Sequence, residues 1–258
     1  MAAPGRRRRF GQNFLVDPGL LEAIVRTSGV GAEDVVLEVG AGEGVLTRAL
    51  AARARFVHSL ELDRRLAEAL DPVAALPNVE LHWGDAMKLP LDRLEPAPAA
   101  IVSNLPYSVA TPVIVRTLVE LPGVRTWTVM VQREIAERLR ASPGSAAYGA
   151  PSVIVGLAAE VRLDRTVDPA VFRPRPRVSS ALVVMRRTGP PPPPPTRRLV
   201  REAFAHRRKS LARSLELARP GQIERVRKAL GEMGLAEDAR AEALAPAQFA
   251  ELSERLGG

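Results

Sequence analysis

The most informative stretch of this chain is Val35-Val36-Leu37-Glu38-Val39-Gly40-Ala41-Gly42-Glu43-Gly44. Its first five residues are mostly apolar, which predicts a short buried strand. The three alternating glycines that follow let the backbone turn sharply and approach a ligand closely, because no side chain stands in the way. A helical pattern begins at Val45. A strand, a glycine-rich turn and a helix in this order are typical of folds that bind a nucleoside.

Apolar runs alternate with helical patterns along most of the chain. The first helix is predicted from Leu20 to Ser28, between Asp17-Pro18 and Gly29. Further strands are predicted at Phe56 to Leu60, Val79 to Trp83, Ala99 to Val102, Trp127 to Val131, Ser152 to Val161 and Ala181 to Met185. This alternation predicts an α/β fold with a parallel, doubly wound sheet, which the last strand closes.

Two carboxylates follow predicted strands at positions that suit a nucleoside. Glu61 comes about 20 residues after Gly40, where such folds place a carboxylate that accepts hydrogen bonds from ribose hydroxyls. Asp85 follows Gly84 at the end of the next strand and could accept from an adenine amino group. Carboxylates in these places are also common as helix or turn caps, and the residues alone leave both explanations open.

Four residues, Asn104-Leu105-Pro106-Tyr107, lie between a predicted strand and the predicted helix Ala110 to Leu118. Ligand sites of α/β folds form at such strand-to-helix turns. The Asn104 side chain and the Leu105 carbonyl offer two acceptors for one exocyclic amino group, and Pro106 holds Leu105 extended. Tyr107 offers a flat face on which a flipped base could stack. The alternative is an ordinary tight turn.

A proline-rich stretch, Phe172-Arg173-Pro174-Arg175-Pro176-Arg177-Val178-Ser179-Ser180, interrupts the alternation. Its prolines exclude a helix, so an extended loop is predicted. Phe172 is a candidate for stacking on a flipped base opposite Tyr107. The same residue would also suit a core anchor for the loop, and both roles stay open.

The segment before the first helix carries two side-chain amides, Gln12 and Asn13, close to the apolar Leu15. Amides in a loop usually form turns, but these could also close over a small ligand. The preceding run Arg6 to Arg9 is typical of a solvated tail.

The composition favours a nucleic-acid partner and disfavours several kinds of site. The 258 residues include 37 Lys and Arg against 29 Asp and Glu, a net charge of +8, which suggests a polyanionic partner. Cys is absent, which excludes disulfides and thiolate metal sites. The histidines His58, His82 and His206 show no ligand spacing, so no metal ion is expected. With no apolar signal region and no run long enough to span a membrane, a cytoplasmic monomer is expected.

The chain is expected to divide at its run of prolines. Gly189 followed by Pro190 to Pro195 predicts a semi-rigid linker over 189–196, between a domain of residues 1–188 and a helical domain of residues 197–258. Helices are predicted there at Leu199 to Leu217, Ile223 to Met233 and Ala247 to Leu256. The first of them carries Arg207, Arg208 and Lys209, which would bind RNA if they faced it and are otherwise ordinary helix surface.

Six features occur in one order and at domain-like spacings: Gly-Gln-Asn-Phe-Leu, Glu-x-Gly-x-Gly-x-Gly, Glu61, Gly84-Asp85, Asn-Leu-Pro-Tyr and Phe-x-Pro-x-Pro-x-Val. Together they resemble the S-adenosylmethionine-dependent rRNA adenine dimethyltransferases, and within that family the KsgA branch, which acts on small-subunit rRNA. The resemblance extends from Arg9 to about Leu215. It implies a class I methyltransferase sheet with a small helical C-terminal domain.

The resemblance also implies roles for individual residues. The methyl donor S-adenosylmethionine would be held by Asn13, Leu15, Gly40, Gly42, Glu61, Asp85 and Asn104. The target adenine would be received by Asn104, Leu105, Pro106 and Tyr107, with Phe172 on its other face. The implied product is N6,N6-dimethyladenosine at two neighbouring adenines in the hairpin loop near the 3′ end of small-subunit rRNA, and no residue need act as a strong base.

Two other functions are compatible with part of the sequence. The related branch that modifies a large-subunit rRNA adenine typically has Phe at the fourth position of the tetrad, where this chain has Tyr107. The stretch Gln132 to Ala136 and the basic triple Arg207 to Lys209 also favour the small-subunit branch. The other candidate is an RNA-binding assembly factor that has the fold without turnover, and the presence of Glu61 and Asp85 argues against it.

Overall fold

A computed structural model describes residues 13–257, in which strands and helices alternate. The strands are β1 (Phe14–Leu15), β2 (Val35–Val39), β3 (Phe56–Glu61), β4 (Val79–Trp83), β5 (Ala100–Asn104), β6 (Thr126–Gln132), β7 (Ala159–Val167), β8 (Phe172–Arg173) and β9 (Ser180–Arg187). The helices are α1 (Pro18–Ser28), α2 (Val45–Ala51), α3 (Ala67–Ala74), α4 (Ala110–Glu120), α5 (Arg133–Leu139), α6 (Ala150–Gly156), α7 (Pro194–Ala203), α8 (Leu211–Ala218), α9 (Ile223–Glu232) and α10 (Pro246–Arg255). Within 13–257, no helix is long and apolar enough to cross a bilayer.

Seven strands form the main sheet, in the order β4-β3-β2-β5-β6-β9-β7. The pairs from β4 through β6 are parallel, and β9 is antiparallel to β6. Every residue of β2 is buried, as expected of an interior parallel strand covered on both faces. The prediction of a parallel sheet is confirmed for β2 to β6. The prediction that the last strand closes the sheet is wrong, because β9 lies between β6 and β7.

The first helix begins and ends where its capping residues predict. The Asp17 carboxylate accepts a hydrogen bond from the Leu20 N–H at 2.6 Å, Pro18 occupies the first turn and Gly29 follows the last residue. The helix begins at Pro18 itself, two residues before the predicted start. Its buried residues Leu20, Ile24 and Val25 belong to a hydrophobic core that also includes residues of the sheet strands.

The prediction of a strand over Ser152 to Val161 is wrong for its first half. Residues Ala150–Gly156 form α6, and β7 begins only at Ala159. The Ser152 hydroxyl accepts from the Gly149 N–H at 3.1 Å and donates to the Arg138 carbonyl at 2.6 Å, which holds the first turn of α6. A short run that is apolar throughout lacks the periodicity that distinguishes a buried helix from a buried strand.

The chain divides into two compact units. The first comprises the described residues up to Ala136 together with Arg162–Arg187, and the second comprises Glu137–Val161 together with the described residues from Thr188 onward. This division differs from the predicted boundaries at 188 and 197, because the segment Glu137–Val161 belongs to the second unit. Inside that unit, the Tyr148 hydroxyl donates to the Leu244 carbonyl at 2.8 Å, which ties this segment to the C-terminal helices.

The predicted proline linker is shorter than expected, and the predicted helix after it is divided. Helix α7 starts at Pro194, so the last two prolines form its first turn, where a missing N–H costs no hydrogen bond. A separate helix, α8, starts after Ser210, whose hydroxyl accepts from the Arg213 N–H at 3.3 Å. The break arises because Ser210 caps a new helix, a signal that the apolar periodicity of Leu199 to Leu217 does not contain.

Two of the histidines that the sequence leaves scattered are neighbours in the structure. Strands β3 and β4 pair in parallel, with His58 opposite Glu80 and Leu60 opposite His82. The His58 Nδ1 and His82 Nε2 atoms lie 3.0 Å apart. The spacing along the chain does not reveal this contact, because pairing between strands creates it.

Candidate functional site

A cavity of about 170 Å³ lies at the carboxyl ends of the parallel strands. It is lined by the ends of β2, β3 and β5 and by the turn after β4, the edge at which α/β folds bind ligands. The lining includes all the residues predicted to hold the donor and all four of the tetrad: Asn13, Leu15, Gly40, Gly42, Glu61, Asp85, Asn104, Leu105, Pro106 and Tyr107. The fold therefore gathers candidates from five separate parts of the sequence around one space.

The glycine turn is packed closely against its neighbours. Gly40 and Gly42 have φ angles of +86° and +60°, in the left-handed region that side chains disfavour. A Cβ atom on Gly40 would lie 3.3 Å from Pro106 Cδ, and one on Gly42 would lie 3.3 Å from Phe14 Cδ1. Glycine is therefore required here both by backbone conformation and by the close approach of the tetrad and of β1.

Glu61 joins the end of β3 to the glycine turn. Its side chain is almost fully buried and accepts three backbone hydrogen bonds. The Oε2 atom accepts from the Gly42 N–H at 2.9 Å, and Oε1 accepts from the N–H groups of Leu62 and Asp63 at 2.9 and 2.8 Å. A carboxylate offers about four lone-pair sites, so one remains for a ligand hydroxyl in the cavity.

Glu38 also lines the cavity, and no role was predicted for it from the sequence. Its Oε2 accepts from the hydroxyls of Thr47 and Ser59 at 2.6 and 2.7 Å, whereas its buried Oε1 has no hydrogen-bond partner among the described residues. Burial raises the pKa of Glu38 from 4.5 to about 8, with Glu61 adding to the effect and the two hydroxyls opposing it. One charged residue inside an otherwise apolar strand was the signal available in the sequence.

The buried Glu38 carboxyl makes a pH dependence of stability expected. In the unfolded chain it ionises near pH 4.5, and in the folded chain near pH 8. Between these values the folded state holds more protons, so the free energy of unfolding falls as the pH rises. We expect Glu38→Gln to flatten this fall between about pH 5 and 8 in urea titrations. A fall that persists unchanged in the variant would assign it to other groups.

The Asp85 carboxylate lies in the turn after β4 and is partly exposed. Its Oδ1 accepts from the Met87 N–H at 2.8 Å, and its Oδ2 lies 4.0 Å from Lys88 Nζ. The turn-cap explanation is therefore correct for Oδ1. Oδ2 remains available to accept a hydrogen bond from a ligand in the cavity.

The tetrad is held by hydrogen bonds at both of its ends. Asn104 Nδ2 donates to the Asn13 carbonyl at 3.0 Å, and because a carbonyl only accepts, this contact fixes which amide atom faces it. Asn104 Oδ1 is thereby left to accept from a ligand. The Tyr107 hydroxyl lies 2.6 Å from Ser180 Oγ, and burial raises the pKa of Tyr107, so its hydroxyl stays protonated at neutral pH.

The structure does not bring Phe172 to the cavity. The side chain is 3% exposed and lies in the hydrophobic core, and Phe172 pairs with Leu15 where β8 meets β1. The prediction that it stacks on a base opposite Tyr107 is therefore wrong for this structure, and the core-anchor role is the one observed. The sequence could not separate the two roles because the pairing of β1 with β8 buries the ring.

The basic triple predicted to bind RNA lies in a turn and is exposed. Arg207, Arg208 and Lys209 precede α8, so the expectation of a helix face is wrong. Arg207 donates to the Ala146 carbonyl at 3.1 Å and lies 3.7 Å from a Glu242 carboxylate oxygen, so part of its role is structural. Gln12 and the run Arg6 to Arg9 lie outside the described residues.

Comparison with known proteins identifies relatives over almost the whole chain. The profile of the family described as "Ribosomal RNA adenine dimethylase" matches residues 5–257. A protein of Rubrobacter xylanophilus named ribosomal RNA small subunit methyltransferase A is 40% identical over 257 residues, which cover 98% of this chain and 96% of the relative. A protein of the same name from Thermobifida fusca is 41% identical over 257 residues, covering 96% and 89%.

Solved structures agree with the fold. A dimethyladenosine transferase from Plasmodium falciparum superposes with a TM-score of 0.77 at 23% identity, covering 93% of this chain and 95% of the other. The 23S rRNA methyltransferase ErmE superposes with a TM-score of 0.67 at 30% identity, covering 95% and 100%. The predicted class I methyltransferase fold is therefore confirmed.

Proposed function

We propose, because this chain belongs to the ribosomal RNA adenine dimethylase family, that it dimethylates N6 of two adjacent adenines in the 3′-terminal hairpin loop of small-subunit rRNA. The observation that carries the proposal is the single cavity shared by the glycine turn, Glu61 and the tetrad. The names of relatives at 40% and 41% identity support the small subunit as the substrate. A ribosomal substrate also supports a cytoplasmic location.

The residues around the cavity fit S-adenosylmethionine, which when bound supplies a methyl group already activated on a sulfonium. The buried Glu38 Oε1, which has no hydrogen-bond partner among the described residues, becomes an acceptor beside the glycine turn when the carboxyl ionises, and the ammonium group of a methionine end would stabilise that ionised form. Glu61 keeps acceptor capacity for one ribose hydroxyl, and Asp85 Oδ2 can accept from the adenine amine. Asn13 and Leu15 border the same space from β1 and the segment before it.

The tetrad suits the target adenine. Asn104 Oδ1 and the Leu105 carbonyl would accept the two N6 hydrogens, and Tyr107 would stack on the base. An adenine amine is a weak nucleophile because its lone pair is spread into the ring. Two acceptors would favour a more pyramidal nitrogen, held at near-attack distance. The N6–carbon bond forms as the sulfur–carbon bond breaks, and one N6 proton passes to solvent.

The proposal is tested by a methyl-transfer assay with labelled S-adenosylmethionine. Unmethylated small subunits and free large-subunit rRNA are offered in parallel, and the modified nucleosides are identified by mass spectrometry. Dimethyladenosine in the small-subunit rRNA alone is expected. Label only in the large-subunit rRNA would move the chain to the other branch, and binding without label would make it an assembly factor.

We further propose that the turn before α8 binds the RNA backbone. Arg208 and Lys209 are exposed, and unlike Arg207 they are suited to substitution without loss of a described contact. We expect the double variant Arg208→Ala and Lys209→Ala to weaken RNA binding. The negative slope of the logarithm of the binding constant against the logarithm of the salt concentration should become less steep by about 2, since each lost phosphate contact removes about one unit.

The matched control removes the same charge elsewhere in the second unit. Arg225 and Lys228 are exposed on α9, and the variant Arg225→Ala and Lys228→Ala is expected to leave most of the salt slope in place. Filter binding at several salt concentrations measures both variants. Equal losses of RNA affinity and salt dependence in the two variants would show that only the net charge matters, and would contradict an RNA site at this turn.

A further inference from the structure

Three potential metal ligands converge on the strand pair β3 and β4. His58 lies on β3, and Glu80 and His82 lie two residues apart on β4, so their side chains share one face of that strand. The His58 Nδ1 atom is 3.0 Å from His82 Nε2 and 3.6 Å from Glu80 Oε2, and the last two atoms are 3.7 Å apart. None of the three residues lines the cavity described above.

These separations are close to the spacing of ligands around one small cation. Zn²⁺ binds His nitrogen and carboxylate oxygen at about 2.0–2.2 Å, and tetrahedral geometry then places neighbouring ligand atoms about 3.3–3.6 Å apart. The distance of 3.0 Å between the two ring nitrogens is below that range, and the distances of 3.6 and 3.7 Å to Glu80 lie at its upper edge or just above it. Coordination of one ion would need the two ring nitrogens to move apart by a few tenths of an ångström and the exposed Glu80 carboxylate to move slightly closer to them.

A second contact of His58 prepares its Nδ1 atom for this role. His58 Nε2 lies 2.8 Å from the Pro96 carbonyl, which only accepts, so Nε2 carries the hydrogen. In the neutral ring, Nδ1 then presents a lone pair toward Glu80 and His82. A ligating histidine in proteins typically donates its other N–H to a carbonyl or carboxylate in this way, which fixes the ring.

We propose that His58 Nδ1, His82 Nε2 and one Glu80 carboxylate oxygen bind a divalent transition-metal ion such as Zn²⁺, with water completing the coordination. Two imidazoles favour Zn²⁺ and its neighbours over Mg²⁺ and Ca²⁺, which prefer oxygen ligands. The ion would fasten the edge strand β4 to β3. The ends of these strands lead directly to Glu61 and Asp85, so the ion would stabilise the frame of the cavity.

The proposal differs from the expectation of no metal ion, which was drawn from the spacing of the histidines along the chain. Without an ion, the contact between the two rings is a hydrogen bond that His82 donates to His58 Nδ1. The ion would replace that hydrogen. Zn²⁺ has a filled d shell and gives no visible band, so the two states are distinguished with Co²⁺, which has a ligand-field spectrum when it is bound.

The test is a titration of the full-length chain, without an affinity tag, with Co²⁺ as a spectroscopic substitute for Zn²⁺. The chain has no Cys, so a visible absorption band cannot come from thiolate coordination. We expect a band that saturates at one Co²⁺ per chain and disappears when Zn²⁺ is added. No band, or one that does not saturate at one equivalent, would overturn the proposal.

Matched variants assign the ligands. His82→Gln and Glu80→Gln are preferred to a change at the fully buried His58, because their side chains are partly exposed and the fold is expected to tolerate them. Each should weaken Co²⁺ binding at least about tenfold, whereas His206→Gln, the remaining histidine, should leave it unchanged. Wild-type affinity in both ligand variants, or loss in His206→Gln, would contradict the assignment.

A thermal measurement gives an independent readout. Zn²⁺ in excess is expected to raise the Tm of the wild-type chain and of His206→Gln, because a ligand that binds only the folded state stabilises it. The same addition should leave the Tm of His82→Gln unchanged. An equal rise in all three proteins would indicate binding elsewhere and would contradict the site.

Discussion

Asn104→Ala is expected to reduce the rate of methyl transfer at least about 100-fold while RNA binding is retained, comparable to the loss of one preorganised hydrogen-bonding group in other active sites. The bond from Asn104 Nδ2 to the Asn13 carbonyl fixes the amide so that Oδ1 is left for the adenine amine. Alanine removes this acceptor and leaves the amine to be positioned by the Leu105 carbonyl alone. Single-turnover assays with labelled donor measure the rate, and filter binding measures RNA affinity.

The matched control for this variant is Asn78→Ala. Asn78 Nδ2 donates to the carbonyls of Ala51 and Ala54 at 2.9 and 3.1 Å, so it makes the same kind of bond as Asn104 but lies outside the cavity lining. Both variants should lose about 1 kcal/mol of stability per lost bond, and only Asn104→Ala should lose turnover. Equal turnover in the two folded variants would remove Asn104 from the mechanism.

Glu61→Gln is expected to weaken donor binding by about 10- to 100-fold. Glu61 accepts three backbone N–H bonds with its two oxygens, and a glutamine offers only one acceptor oxygen while its NH₂ group faces an N–H. The substitution is expected to weaken the bond from the ribose to this carboxylate. A hydrogen bond to a charged group contributes about 1.5–3 kcal/mol, and 1.4 kcal/mol corresponds to a factor of ten in affinity. Calorimetric titration with S-adenosylhomocysteine, the demethylated donor, measures the effect.

Glu216 provides a close control, because its carboxylate also accepts three backbone N–H bonds. They come from Gly221, Gln222 and Ile223 at 3.0, 2.7 and 2.9 Å, and all of these residues lie in the second unit. Glu216→Gln is expected to lower stability and to leave affinity for S-adenosylhomocysteine unchanged. If it weakened donor binding as much as Glu61→Gln, the effect would be one of stability, not of contact with the ribose.

The parts of the fold that the sequence predicts well are those determined by neighbouring residues. The bounds of β2 match the prediction, because its apolar run ends at Gly40 and a glycine-rich turn cannot continue a strand. The tetrad falls at a strand-to-helix turn as predicted, because Pro106 and the apolar run before it mark that turn locally. Gly40, Glu61, Asp85 and the tetrad were predicted for the same reason, since each comes at or after the visible end of a strand, whereas Asn13 and Leu15 were implied only by the family resemblance and Glu38 was missed.

The parts that could not be predicted depend on contacts between distant segments. Phe172 is buried by pairing with β1, and the meeting of His58 with His82 depends on the register of β3 with β4. The residues Glu137–Val161 belong to the second unit through tertiary bonds such as that of Tyr148 with Leu244. The residues next to these positions in the sequence do not indicate which distant segment each of them will contact.

The proposed site is one cavity that holds the methyl donor, and a crystal structure of the chain with S-adenosylhomocysteine tests it most directly. We expect a ribose hydroxyl on Glu61, the adenine amine at Asp85 and the sulfur turned toward the tetrad, where the target adenine would bind. An analogue bound elsewhere, or bound here with its sulfur turned away from Asn104, would contradict the proposed site.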